Sequence, residues 1–251
     1  MCTLVILRRP EHPWPLVLAG NRDEMRDRPW DPPSRHWPDR PEVVAGLDRR
    51  AGGSWFGLND HGLAAVVMNR EGSLGPSPGA RTRGELVLEA LDHAEAAEAA
   101  GALADLDPRA YRPFNLFVGD PVSAYWLRNR GSREPGRIEV FSVPSGVHML
   151  TARELDDPNV ARVRTHLPRF RRAAAPRPAD GEWGEWPRLL ASREDAGGRP
   201  EAAMTLDLGG GFGTVCSHLV ALPRYPAFER PPVFLFAAGL PGEAPFRPVA
   251  L

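Results

Sequence analysis

The chain has 251 residues, of which 42% are hydrophobic and 25% charged, with a formal net charge of −1. These values are ordinary for a globular protein of one large domain, or at most two, and we treat residues 1–251 as a single domain. A net charge near zero excludes the electrostatic footprint of a nucleic-acid-binding protein, and the absence of lysine excludes Schiff-base and Walker-type phosphate-loop chemistry.

The two cysteines, Cys2 and Cys216, could pair in principle, but they imply no disulfide framework in a chain of this size. The apolar segment Thr3–Leu7 is too short for the core of a signal peptide. No apolar run approaches the ~20 residues that a membrane-spanning helix needs. We therefore expect a reduced, cytoplasmic protein without an integral membrane segment, whose oligomeric state is left open.

The first 24 residues contain two short apolar runs, residues 1–7 and 15–24, separated by a connector with two prolines. Runs of this length, rich in Val, Ile and Leu, predict a pair of strands. If the pair folds symmetrically about the connector, facing residue numbers sum to about 23. This register predicts that Cys2 lies opposite Asn21.

The strand pair brings the thiol of Cys2 beside the charged side chains of Arg22 and Asp23. If Met1 is removed, Cys2 carries both a nucleophile and an α-amine whose pKa of about 7.7–8.0 suits it to take the thiol proton. We expect Arg22 to lower the thiol pKa further, and Asp23 to orient the ammonium or hold Arg22 in place. The alternative interpretation is that Cys2 is a small apolar residue at the start of a buried strand.

Farther along, residues 25–50 are rich in Pro, Arg and Asp, which predicts an irregular loop that overhangs a site or merely caps the core with its tryptophans. Residues 54–58 and 63–69 predict a second hairpin, which ends in Met-Asn-Arg. Helices are predicted near Arg83 from a capping-box pattern, over residues 95–106, from Asp157 and over 185–192. The helix from Asp157 has an apolar stripe and then three arginines: Val160, Val163, Leu167 and Phe170, followed by Arg169, Arg171 and Arg172. Further strands are predicted over residues 114–118, 124–127, 138–143, 147–151, 214–222 and 233–237. This order of elements is typical of an antiparallel α+β protein.

An ordered series of motifs extends over most of the chain: Cys2, Asn21–Glu24, Arg28–Pro29, Trp37, Gly52–Gly57, Met68–Arg70, Arg83–Leu86 and Phe114–Asp120, with weaker stretches near 146–158 and 213–222. This series resembles the NRDE family, which includes the transport and Golgi organisation 2 (TANGO2) proteins. That family is similar to N-terminal nucleophile (Ntn) hydrolases of the choloylglycine hydrolase and penicillin V acylase type. The resemblance implies a four-layer αββα sandwich with mainly antiparallel sheets.

The resemblance also implies a catalytic set of Cys2, Arg22, Asp23 and Asn69. A terminal cysteine attacks an amide in the similar hydrolases, and the residue matching Asn69 helps to stabilise the oxyanion. An asparagine at the end of a strand is otherwise a common turn former. The candidate substrate-binding residues are Asn21, Trp55, Thr214, Cys216 and His218.

Two positions depart from the family pattern. Relatives carry asparagine where this chain has Ala152, and this asparagine resembles a second oxyanion donor, whose loss typically costs about 10²–10³-fold in rate. Relatives often have arginine where Val215 stands, so a possible clamp for a substrate carboxylate is missing.

Strand alternation predicts that Thr214, Cys216 and His218 share one face, where they could line an active site, bind a ligand or simply pack. Two ligands on one strand do not make a zinc site, so no metal and no cofactor is predicted. Two hypotheses remain, both with a small-molecule partner. The first is an Ntn-type cysteine hydrolase or acyl transferase. The second is a non-catalytic protein that binds or traffics haem or a lipid-like ligand, since some TANGO2-type relatives have been connected with haem trafficking.

Overall fold

The computed structural model describes residues 2–75, 79–131, 136–195, 197–225 and 230–251. The chain divides into two compact units. The first unit comprises Met1–Arg28 and Ser145–Ala250, and the second comprises Pro29–Pro144 together with Leu251. The prediction that residues 1–251 form a single domain stays a prediction.

Within the described ranges the chain forms thirteen strands, four α-helices and three short 3₁₀ helices. The strands are β1 (Thr3–Arg8), β2 (Leu16–Met25), β3 (Trp30–Ser34), β4 (Val43–Asp48), β5 (Phe56–Asn59), β6 (Ala64–Asn69), β7 (Phe114–Gly119), β8 (Ala124–Asn129), β9 (Glu139–Ser142), β10 (Gly146–Leu150), β11 (Phe212–Leu222), β12 (Val233–Ala237) and β13 (Arg247–Pro248). The α-helices are α1 (Gly84–Leu91), α2 (Ala96–Ala104), α3 (Ala161–Arg172) and α4 (Trp186–Leu190), and the 3₁₀ helices are Pro108–Ala110, Pro178–Asp180 and Pro200–Ala202.

The first unit contains a six-stranded sheet in the order β10-β1-β2-β11-β12-β13, with antiparallel pairing throughout. Alternate residues of β1, β2 and β11 pack with α3 and α4 in one apolar core. The predicted stripe of α3 belongs to this core, because its apolar residues recur at helical spacing. Its members are Val160, Val163, Leu167 and Phe170.

The second unit contains a seven-stranded antiparallel sheet whose strands are neighbours in sequence order, from β3 to β9. Helices α1 and α2 pack on it through the apolar faces that their sequence periodicity predicts. The predicted loop over residues 25–50 is wrong in part, because β3 and β4 form within it. Two prolines in β3 make its sequence look like a loop. The sheet tolerates them because β3 is an edge strand, and its register shifts between Asp31 and Ser34.

The first hairpin forms as predicted, but its register is one residue away from the prediction. Thr3 lies opposite Asn21, so facing numbers sum to 24 rather than 23. The reason is that the connector closes about His12, so that its flanking residue numbers also sum to 24. The N–H of Arg9 donates to the carbonyl of Pro15 at 2.7 Å, which leaves a five-residue loop centred on His12. Extending this register by one step places Cys2 across from Arg22 instead of Asn21.

Helix α3 begins later than the predicted start at Asp157. The Asp157 carboxylate accepts the N–H of Asn159 at 2.9 Å in a local turn, and the helix begins only at Ala161. None of the helices in the described residues is both long and apolar enough to cross a membrane.

Candidate active site

Cys2 lies immediately before β1 and is half-buried. The last residue pair of the β1/β2 ladder is formed by Thr3 and Asn21, so Cys2 lies just beyond the regular pairing. Its Sγ donates to the backbone carbonyl of Asp23 at 3.6 Å. The thiol therefore sits at the end of the sheet, beside the charged segment that the sequence indicated.

The environment raises the pKa of the Cys2 thiol above its ordinary value. Burial is the largest cause, and the negative charge of Asp23 acts in the same direction because it opposes the thiolate. Arg22 lowers this pKa, as predicted, but its effect is smaller than that of burial or of Asp23. The thiol therefore needs a base before it can act as a nucleophile near neutral pH.

The Asp23 carboxylate is bound by side chains from two other elements. Nη1 of Arg162, on α3, donates to Oδ2 at 3.0 Å, and both side chains are fully buried. Oγ1 of Thr214, on β11, donates to Oδ1 at 2.6 Å. The same Nη1 of Arg162 also donates to Oγ1 of Thr3 at 2.6 Å. Meanwhile Arg22 lies 3.8 Å from the carboxylate of Glu24.

Arg162 is a site residue that the sequence reasoning missed. The apolar stripe of α3 and the three arginines at its end are the stronger patterns in this segment, and a single arginine between apolar residues does not stand out. A signal did exist. Position 162 lies next to Val163 and one turn before His166, on the buried side of the helix. An arginine in such a position needs a partner, because a buried unpaired charge is costly.

The prediction that Thr214, Cys216 and His218 share one face is wrong. A register shift between Thr214 and Cys216 sets Thr214 opposite Asp23 but Cys216 opposite Arg22. Neighbouring residues of β2 point to opposite faces, so the bulge at Val215 sends Thr214 to the α3 side. Cys216 and His218 stay together on the other face. A bulge adds one residue to a strand, which alternation alone does not reveal.

Cys216 and His218 are both buried and are uncharged in this environment. Burial raises the pKa of the Cys216 thiol far above its ordinary value. Burial also lowers the pKa of His218 to about 3, so its imidazole is neutral at physiological pH. The His218 ring lies against Gly20, where an added Cβ would be 2.5 Å from its Cε1 atom. Both Cys2 and Cys216 are free thiols.

The Asn21 side chain is buried, and its hydrogen bonds are made within the protein. Its amide nitrogen donates to the carbonyls of Leu190 and Met204 at 3.0 and 2.9 Å, and its oxygen accepts from Ser217 at 2.8 Å. Both of its N–H groups are thereby used. This arrangement offers no free amide donor for the predicted contact with a substrate.

The remaining predicted residues belong to the second unit. Asn69 is half-buried at the end of β6, where it pairs with Phe114. Trp55 is buried against Gly46 and makes an edge-to-face contact with Trp30 at 5.7 Å between ring centroids. Trp55 therefore packs against β3 and β4 just before β5 begins, and its contact with a substrate stays a prediction.

The departures from the family pattern are also visible. Ala152 is buried directly after Thr151, which is itself buried, and its methyl group can donate no hydrogen bond. Val215 is the bulged residue of β11. Among the described residues, no group of three or more His, Cys, Asp or Glu side chains could hold a metal ion.

The model of the family "Transport and Golgi organisation 2" matches residues 1–190. The chain belongs to the TANGO2 family. This finding confirms the resemblance on which the Cys2 and Asn21–Glu24 motifs were interpreted. A search of curated proteins by sequence finds no match.

Several solved structures are similar to this TANGO2-family chain. Penicillin V acylase from Agrobacterium tumefaciens has a TM-score of 0.51 and 14% identity, covering 95% of this chain and 83% of the acylase. An N-acylethanolamine-hydrolyzing acid amidase orthologue from Caenorhabditis elegans has a TM-score of 0.55 and 11% identity, with coverages of 87% and 92%. A cysteine-to-alanine mutant of conjugated bile acid hydrolase from Clostridium perfringens has a TM-score of 0.55 and 10% identity, with coverages of 100% and 92%.

At identities of 10–14% these likenesses show the fold alone. The predicted class is confirmed: the TANGO2-family chain is an α+β protein of the αββα Ntn-hydrolase type with mainly antiparallel sheets. A shared fold leaves the activity to be argued from the site.

Proposed function

We propose that the chain is a cysteine hydrolase or acyl transferase that acts on an amide or related acyl bond of a small molecule. Cys2 is the N-terminal nucleophile in this proposal, after removal of Met1, which lies outside the described residues. The observation that carries the proposal is the half-buried Cys2 thiol, which lies just before β1 and donates to the backbone carbonyl of Asp23 at 3.6 Å. The fold that the chain shares with an acylase, an amidase and a hydrolase supports it.

The chemistry begins with removal of the thiol proton. Burial and Asp23 raise the thiol pKa, so a base is required, and the amine that Cys2 gains on loss of Met1 supplies one on the same residue. The sulfur then attacks the acyl carbon, and the carbonyl electrons move to its oxygen. Collapse of this oxyanion expels the leaving group, which takes up the proton, and leaves an acyl-cysteine. Water or another nucleophile then cleaves the thioester, takes the acyl group and returns the Cys2 thiol.

Two further roles belong to the proposal. Arg22 follows Asn21 on β2 and partly offsets the negative field of Asp23 at the thiol. Asn69 is assigned the oxyanion donor by resemblance to the choloylglycine-type enzymes. We expect Asn69→Ala to reduce acyl transfer by about 10²-fold without altering alkylation of Cys2.

Mass spectrometry with an acyl-type electrophile tests the nucleophile. The intact mass of the cellular protein shows whether Met1 is present, and peptide mapping identifies the labelled cysteine. We expect loss of Met1, labelling of Cys2 in the wild type and none in Cys2→Ala. Cys216→Ala is the matched control, because its thiol is fully buried, and it keeps the label on Cys2. An active protein that retains Met1 excludes self-activated catalysis.

A second candidate function is the binding or trafficking of haem or a lipid-like ligand without catalysis. The observations that favour it are Ala152 and Val215, which stand where relatives carry an asparagine and an arginine. Titration with haem and with a fatty-acyl lipid tests it, and we expect saturable binding that survives Cys2→Ala. Lack of saturation with both ligands rejects this function. A reduced, cytoplasmic setting is part of both proposals and is consistent with two free thiols.

A further inference from the structure

Arg162 makes two hydrogen bonds from a single nitrogen, and these bonds connect two strands. Its Nη1 donates to Oγ1 of Thr3 on β1 at 2.6 Å and to Oδ2 of Asp23 on β2 at 3.0 Å. The side chain is completely buried in the first turn of α3. A side chain of α3 therefore binds both strands at the end of the β1/β2 ladder, next to Cys2.

The position of these bonds matters because regular pairing stops there. Thr3 and Asn21 form the last pair of the β1/β2 ladder. Asp23 lies two residues farther along β2, and its backbone carbonyl is the acceptor of the Cys2 thiol. Arg162 thus holds the residue that follows Cys2 and the residue that contacts its sulfur.

The second carboxylate oxygen of Asp23 is fixed by Thr214. Oγ1 of Thr214 donates to Asp23 at 2.6 Å and accepts the backbone N–H of Leu206 at 2.8 Å. The bulge at Val215 brings Thr214 to this face. Both oxygens of Asp23 therefore have a protein donor, and the carboxylate has one defined orientation.

A buried ion pair is weak evidence for stability, because well-packed apolar residues of similar size are often as stable. Here the Arg162–Asp23 pair is also hydrogen-bonded to Thr3 and Thr214, and the backbone carbonyl of Asp23 accepts the half-buried Cys2 thiol. We infer that Arg162 is a positioning residue, which holds Thr3 and Asp23, and through them Cys2, in one geometry. This inference rests on the proposed role of Cys2, although its test does not.

The charges around the thiol predict in which direction each substitution changes the pKa of Cys2. Asp23 raises the Cys2 pKa and Arg22 lowers it, while Cys216 stays protonated. His166, one turn beyond Arg162, is neutral because burial lowers its pKa to about 4. Loss of the Arg162 charge leaves Asp23 uncompensated and disfavours the thiolate. Loss of the Asp23 charge favours it.

The experiment measures the rate of Cys2 alkylation by iodoacetamide against pH, read by peptide mass spectrometry on the full chain. We expect Arg162→Met to react about tenfold more slowly near neutral pH, which corresponds to about one unit in the thiol pKa. Asp23→Asn should react faster than the wild type, and the double variant should lie between the two single variants. Arg162→Lys keeps the charge and should restore most of the rate.

Arg164→Met is the matched control, since Arg164 is exposed on the same helix, and it should leave the profile unchanged. Damage to the fold alone would change the Cys2 alkylation rate of Arg162→Met and of Asp23→Asn in the same direction, and that result overturns the inference. An unchanged rate–pH profile in Arg162→Met overturns it as well. If Arg162→Met fails to fold, a near-wild-type alkylation rate in Arg162→Lys together with a faster rate in Asp23→Asn supports the inference, and a slower rate in Asp23→Asn overturns it. Since alkylation needs no substrate, failure of acyl labelling with these shifts intact rejects only the proposed function.

Discussion

Two sets of buried polar side chains, one in each unit, have different partners. In the second unit, Asn59 and Asp120 bind backbone groups at the ends of elements. Asn59 donates to the carbonyl of Leu91, where α1 ends, at 3.0 Å. Asp120 accepts the first N–H of α2, from Ala96, at 2.7 Å. These residues satisfy peptide groups that a helix or a turn leaves without a partner.

In the first unit, several buried polar side chains bind one another. Arg162, Asp23 and Thr214 form one such group, and Asn21 and Ser217 form another, across strands that are otherwise apolar. Networks of side chains in a low dielectric are costly unless every member is satisfied. The comparison teaches that these two sets serve different ends: Asn59 and Asp120 fix the ends of helices and turns, and the Arg162–Asp23–Thr214 group positions a thiol.

Arg162→Met is expected to have the largest effect on stability. Removal of one partner leaves the Asp23 charge buried without compensation, which costs about 3–5 kcal/mol. Urea unfolding followed by circular dichroism measures this loss. Adding Asp23→Asn should recover much of it, because the neutral pair removes the unpaired charge. Arg164→Met should stay within about 0.5 kcal/mol of the wild type.

Asn59→Ala sharpens the comparison from the other unit. The Asn59 side chain donates to two carbonyls and accepts two backbone N–H groups. Its removal leaves buried peptide groups unpaired, and we expect a loss of about 2–3 kcal/mol in urea unfolding. The Cys2 alkylation profile should not change. A shifted profile would show that the division of roles between the two units is wrong.

Acidification is expected to destabilise the first unit through two of its buried histidines, His166 and His218. Folding lowers the pKa of His218 to about 3 and that of His166 to about 4, whereas an unfolded histidine titrates near 6.5. At pH 5 the unfolded chain binds these protons and the folded chain does not. The stabilisation is therefore complete above about pH 6.5 and falls with decreasing pH, by about 2 kcal/mol per histidine at pH 5.

Urea unfolding between pH 7 and pH 5 measures this loss, and the range avoids most carboxylate titration. His166→Gln has no group that titrates in this range, so its stability should fall by about half as much as that of the wild type. An unchanged pH dependence in His166→Gln would mean that the ring is protonated in the folded chain. The matched control is His61→Gln, because His61 is an exposed loop residue of the second unit.

The sequence was informative wherever a periodic pattern coincided with a local signal. The two apolar runs within residues 1–24 predicted the first hairpin, and the apolar stripe of α3 predicted which of its faces packs. The predicted hairpin also brought Cys2 beside Asp23. These are local features, and a hairpin keeps near-neighbours in sequence close in space.

The parts that were missed depend on distant residues or on a single inserted residue. Arg162 reaches Asp23 across 139 positions of sequence, and no local pattern announces such a pair. The bulge at Val215 reverses the face of Thr214, yet strand alternation looks the same with or without it. A one-residue error in the hairpin register likewise exchanged Asn21 for Arg22 as the neighbour of Cys2.

Gly20→Ala is expected to have the smallest effect, and it tests how tightly the face with His218 is packed. A Cβ at position 20 would lie 2.5 Å from Cε1 of His218 and 3.0 Å from the carbonyl of Thr3. The ring must move, and overpacking of this kind costs about 1–2 kcal/mol. Adding His218→Ala should reduce the cost of Gly20→Ala to nearly nothing in a double-mutant cycle. Gly101→Ala in α2 is the matched control, since an added Cβ there meets nothing within 4 Å, and it should stabilise by about 0.5–1 kcal/mol. Additive costs for Gly20→Ala and His218→Ala would contradict the packing of His218 across β2, because two residues in contact share the penalty.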